Sequence, residues 1–150
     1  MLSLLKQNKT TMKLTIIIMS FLLIACASKD VVPTEIVGKW APTYITQTKQ
    51  ADGIFDTWHT INTLVALPVY EFTNDGRFLK DGKPGADACN ITGNKYRIPV
   101  SGNEILFSEF LDSKTVPACI ACSGWKFEFI KGDTLILDEC YARNKYIRTK

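Results

Sequence analysis

Trp125-Lys126-Phe127-Glu128-Phe129-Ile130 alternates large apolar with charged side chains, Lys131-Gly132-Asp133 supplies a turn, and Thr134-Leu135-Ile136-Leu137 runs back. A strand throws successive side chains to opposite faces, so Trp125, Phe127 and Phe129 share one face and Lys126 and Glu128 the other. Such a hairpin must lay its aromatic face against something. The same period recurs upstream, where Tyr70 and Phe72 alternate with Glu71 and Thr73, Asn74-Asp75-Gly76 turns the chain, and Arg77-Phe78-Leu79-Lys80 returns. Tyr96, Ile98 and Val100 form one face against Lys95, Arg97 and Pro99, Ser101-Gly102-Asn103 turns, and Glu104 to Phe107 returns. A last strand is expected from Lys145 to Thr149.

The remaining segments fit between these hairpins. Glu35-Ile36-Val37-Gly38-Lys39-Trp40 and Thr43-Tyr44-Ile45-Thr46 read as two short strands, or one bent at Pro42. Thr48 to Gly53 is turn-like, Phe55 to Trp58 an edge strand or loop, and Pro68 limits Ile61 to Leu67 to a helical turn or two. Asp81 to Ala88 is a loop, and Ser108 to Gly124 is a long excursion that calls for function or covalent bracing. About eight short strands joined mostly by hairpins predict an all-β fold, an antiparallel up-and-down barrel or strongly curved meander.

At the N-terminus, Lys6, Lys9 and Lys13 precede an apolar run from Leu14 to Ile24, whose eleven residues fall short of the ~20 a spanning helix needs. The run closes on Leu23-Ile24-Ala25-Cys26, which resembles the lipobox of bacterial lipoproteins. The resemblance implies a signal peptide over 1–25, cleavage before Cys26, and acylation of that cysteine. Two or three acyl chains, at about 0.8 kcal/mol per buried methylene, make a stable anchor. Met12-Lys13 begins a complete leader by itself, which makes residues 1–11 dispensable to it. Residues 26–34 then form a lipidated, polar, extended tether and 35–150 one domain of ordinary size. The leader holds three of the 18 basic residues and none of the 15 acids, so residues 26–150 balance at zero rather than +3. A neutral domain gives no electrostatic ground for nucleic-acid binding. Lys29-Asp30 near the lipidated position is similar to surface-export signals of some Gram-negative lipoproteins. The expected location is the bacterial cell envelope, at the outer membrane on its periplasmic or surface face.

Beyond Cys26 stand Cys89, Cys119, Cys122 and Cys140, an even set that reads as two disulfides with three possible connectivities in an oxidising compartment. Cys119 and Cys122 form a C-x-x-C. Ser123 stands where a c-type haem site needs His, a second C-x-x-C for zinc is missing, and Pro117 with Ser123-Gly124 leads into a strand rather than a redox-active helix. Structural disulfides are the expected reading, and a thiol redox protein the alternative.

Gly38-Lys39-Trp40 on the first strand is similar to the G-x-W of lipocalins, with Arg148 where their stacking arginine lies. That resemblance implies a closure at Gly38, Trp40 and Arg148, with the guanidinium over the indole. It also implies a barrel binding a small apolar ligand between Tyr70, Phe72, Tyr96, Phe107, Trp125, Phe127 and Phe129. Cys89-Asn90 with Gly93 and Tyr96, and Thr115-Val116-Pro117-Ala118-Cys119, resemble the paired cysteine segments of META-type envelope and stress domains. This second resemblance implies a Cys89–Cys119 bridge, leaving Cys122 for Cys140, in a structural domain.

His59 is the sole histidine and has no motif joining it to a nucleophile. The acids are scattered, and Asp138 and Glu139 point to opposite faces of a strand. Neither a calcium loop nor a phosphate-cradling motif appears, and Asn90-Ile91-Thr92 is an accidental glycosylation triplet behind a bacterial leader. The expectation is a non-enzymatic, lipid-anchored barrel without cofactor or metal.

Overall fold

The computed structural model describes residues 32–100, 102–112, 119, 122 and 124–150. The leader, Cys26, the first residues of the tether and most of the 108–124 excursion lie outside the described residues. Among the described residues there are ten strands: β1 (Gly38–Thr48), β2 (His59–Thr60), β3 (Tyr70–Phe72), β4 (Phe78–Lys80), β5 (Lys83–Pro84), β6 (Lys95–Arg97), β7 (Glu104–Ser108), β8 (Trp125–Ile130), β9 (Thr134–Asp138) and β10 (Ala142–Thr149). All pair antiparallel in the order β5-β4-β3-β1-β10-β9-β8-β7-β6, with β2 also on β1. Among the described residues no helix is long and apolar enough to cross a membrane.

The sheet curls until its two ends meet. Arg77, just before β4, bridges Lys95 of β6, with Phe78 N–H donating to Asn94 O at 2.9 Å and Tyr96 N–H to Gly76 O at 2.8 Å. One short seam thus closes the curved meander that the alternating hairpins predict.

Register explains the core. Phe127 stands opposite Leu137 and Phe129 opposite Leu135, while Tyr146 faces Leu135 and Pro42, so the aromatic stripe of β8 continues across four strands on one face. Trp40 faces Tyr70, and Phe72 faces Phe78, carrying the stripe around the curve. Trp40, Phe72, Phe78, Ile105, Leu135 and Leu137 have no exposed surface at all. Their ring neighbours lie 5.0 to 5.9 Å apart, within the range of favourable aromatic pairs.

Several expectations need correcting. Pro42 does not divide the first strand; β1 runs through it, and the irregularity lies between Pro42 and Thr46, where Tyr44 takes a positive φ of 63°. Val100 does not share the inner face. Pro99 offers no N–H to extend the ladder, β6 ends at Arg97, and Val100 is 77 % exposed. The last strand starts at Ala142 rather than Lys145, while residues 61–68 stay within the limit Pro68 sets and hold no helix. Val32 of the expected tether packs against the core, beneath a turn in which Ile36 N–H donates to Pro33 O at 3.2 Å.

Phe78 touches Tyr70, Phe72, Phe107 and Trp125. Phe78→Ala should therefore cost about 3–5 kcal/mol in urea unfolding. The half-buried Phe127 should cost less on the same substitution, because part of its ring already meets solvent.

Candidate functional site

The base of the barrel is closed by one arginine. The Arg148 guanidinium lies 4.3 Å from the centre of the Trp40 ring, donates from Nη1 to Val37 O at 2.6 Å, and from Nη2 to Glu35 O. Trp40 Nε1 donates to Ile36 O at 2.8 Å, so the entering chain is sewn beneath the ring from both sides. A Cβ on Gly38 would sit 2.6 Å from Arg148 Nη1, and its φ of 140° already suits glycine alone. Gly38, Trp40 and Arg148 are therefore one unit: the arginine occupies the space where a side chain on residue 38 would begin.

Above this closure the barrel is filled. Tyr70, Phe72, Phe107, Tyr96 and Trp125 all lie on the inner face, and Phe127 and Phe129 pack against the cluster while remaining half-buried. A side chain bordering a water-sized void keeps accessible surface, and Phe72, Phe78 and Leu137 keep none. Trp125 Nε1 is buried and finds no acceptor.

The far end is polar, and its central group is one the sequence reading passed over. Glu139 follows Leu135 and Leu137 at a spacing of two, the period that keeps a residue on the inner face. Its carboxyl accepts from Tyr146 Oη at 2.5 Å and Tyr70 Oη at 3.3 Å. Burial raises the carboxyl pKa above the ordinary glutamate range despite the hydrogen bonds from Tyr146, Asn144 and Tyr70 and the charge of Lys80. Burial, with the neighbouring Glu139 charge, likewise pushes both tyrosines up. Asp138 points outward instead, toward Arg143 at 3.9 Å.

Lys80 links this end to the 85–94 loop, donating from Nζ to Thr92 Oγ1 at 2.8 Å and to Asp87 Oδ2 at 3.4 Å. Asp87 also accepts the backbone N–H groups of Cys89, Ile91 and Thr92. Burial opposes its ionisation, but the bonds from Thr92 and Ile91 and the Lys80 charge hold the carboxyl below the usual range. The loop is fastened to the excursion by Cys89–Cys119, and Cys122–Cys140 fastens the excursion to the β9–β10 turn. Neither cysteine of the C-x-x-C is bonded to the other. Beside the second bridge lies an open, polar cleft of about 620 Å³, bordered by Lys49, Glu104, Lys126, Asp138 and Tyr141.

His59 is exposed on β2 and bonds Thr57 O at 3.0 Å through Nδ1, remote in sequence and topology from Glu139. Among the described residues no cluster of His, Cys, Asp and Glu could hold a metal ion. Cys26 lies outside the described residues. No protein-family model, curated protein or solved structure matches the chain.

Gly38→Ala should lose about 1–3 kcal/mol in urea unfolding, combining backbone strain with displacement of Arg148. Adding Arg148→Ala should recover only the steric part, a non-additive result in a double-mutant cycle. The two perturbed carboxyls predict opposite pH trends. The folded state holds the Glu139 proton to higher pH than the unfolded chain, so its contribution falls as pH rises from about 4.3 through the folded value. Asp87 contributes above about 3.9 and loses that contribution as pH falls through its lower folded value. Urea midpoints across pH should therefore move in favour of Glu139→Gln, relative to the natural protein, as pH rises.

Proposed function

We propose that the chain is an exported lipoprotein, acylated on Cys26 and held at the outer membrane of a bacterial envelope, whose barrel is a non-enzymatic structural domain acting through its surface. The observation that carries this reading is the filled interior: the aromatic residues that would line a ligand cavity instead pack on one another. The Cys89–Cys119 bridge favours the META-type resemblance, since it is the pairing that resemblance implies. Two disulfides, each typically worth about 2–4 kcal/mol, suit an oxidising envelope and a loop-rich end with little apolar surface to bury.

A second reading, a lipocalin-type carrier of a small apolar ligand, is favoured by the Trp40–Arg148 closure. The two separate on binding. Under the structural reading, the purified protein leaves a fluorescent fatty-acid probe unbound, whereas saturable binding that falls in Phe127→Ala would establish the carrier. For the anchor, metabolic labelling with an alkyne fatty acid should mark the natural chain and leave Cys26→Ala unlabelled. Persistent labelling of the variant would remove lipidation at Cys26.

A further inference from the structure

The chain is already packed against the barrel at Val32, and this constrains how the barrel stands on a membrane. Val32 is packed against the core at the base, where Arg148 binds the carbonyls of Glu35 and Val37. Six residue steps separate Cys26 from Val32, a reach of at most about 20 Å. The seven steps of β10 alone span about 24 Å along the strand. An anchor at Cys26 therefore keeps the base near the lipid and is too short to bring the far end down while the base stands away.

The outer wall beside this base carries a short, mostly apolar row, with the Lys39–Glu71 ion pair at its edge. Ile130 on β8 faces Thr134 on β9, Thr134 faces Ile147 on β10, and Ile147 faces Ala41 on β1, making one row across four strands. Ile130 is 38 % and Ile147 48 % exposed. The row further up carries charge, with Glu128 and Lys145 on either side of Ile136. Lys131 and Lys150 are exposed at the ends of β8 and β10, with Asp133 in the same turn as Lys131. Their long stems let the ammonium groups reach headgroups while the methylenes lie along the apolar row.

We infer that this row is a contact surface for the phospholipid bilayer that holds the anchor, so that the barrel stands base toward the lipid, with Glu139, the disulfides and the polar cleft directed away. The inference rests on acylation of Cys26. It gives the isoleucines a partner: shallow apolar burial in the interface adds to the anchor without spanning the membrane.

The test uses the acylated protein in phosphatidylcholine vesicles containing brominated acyl chains, after intact mass has established the acyl groups. Ile147→Trp reports the base and Tyr141→Trp the far end, each read against the natural protein with its three tryptophans. The expected result is a blue shift and loss of emission for Ile147→Trp and neither for Tyr141→Trp. A long Gly/Ser insertion after Ser28 should weaken the quenching at 147. Equal quenching at both positions, or stronger quenching at 141, overturns the orientation while leaving the anchor intact. An unmodified Cys26 in the intact mass overturns the anchor and the orientation together.

Discussion

The stacking of Arg148 on Trp40 joins the last strand to the first, and the rest of the barrel depends on that join. β1 is the strand on which both arms of the sheet meet, β3 on one edge and β10 on the other. A lysine in place of the arginine would bring a point charge, whereas the planar guanidinium covers the indole and reaches two carbonyls of the incoming chain at once. The contact also dictates its neighbour, because Gly38 must stay bare for the guanidinium to fit. Ile36 is then held under the barrel with no exposed surface.

At the other end a different physics provides order. Loop 85–94 is ordered by hydrogen bonds, the Asp87 carboxylate accepting the backbone N–H groups of Cys89, Ile91 and Thr92. Covalent bonds through Cys119 and Cys122 tie the excursion to two separate parts of the barrel. Placing the two cysteines three residues apart in sequence lets one short segment brace both the loop before β6 and the turn before β10. The buried Glu139 carboxyl, with two tyrosine hydroxyls directed at it, fills the boundary between the aromatic interior and this polar end.

The legible parts of the fold were those governed by local alternation. Trp125 to Leu137 and Tyr70 to Lys80 declare both their faces and their turns, since period-two patterning with one buried side leaves a single sensible register. Val100 was misread because alternation continued in the sequence past a proline that ended the ladder in the chain. The Arg77–Lys95 seam carried no sequence signal, being a pairing set by sheet curvature rather than by side-chain period. Glu139 was legible in principle, as the next position of the Leu135–Leu137 stripe, yet a carboxylate at the end of an apolar strand reads as solvent-facing until Tyr70 and Tyr146, far apart in sequence, are brought to it. Whether such a barrel is hollow or filled depends on the space left between side chains, and alternation gives the direction of side chains without the volume they leave.

The pairing of β1 with β10 also sets the order of events in time. Thr43 Oγ1 donates to Lys145 O across 102 residues, and Arg148 reaches Val37 across 111. Contacts this remote come late and make folding slow, because the closure entropy is lost before they form. Until the final residues are available, β1 lacks its partner on one edge, Trp40 has no cover, and the curled sheet cannot close. During synthesis, therefore, β1 waits for β10 to emerge, and the curled sheet closes only once Arg148 is free to reach Trp40 and the Val37 carbonyl.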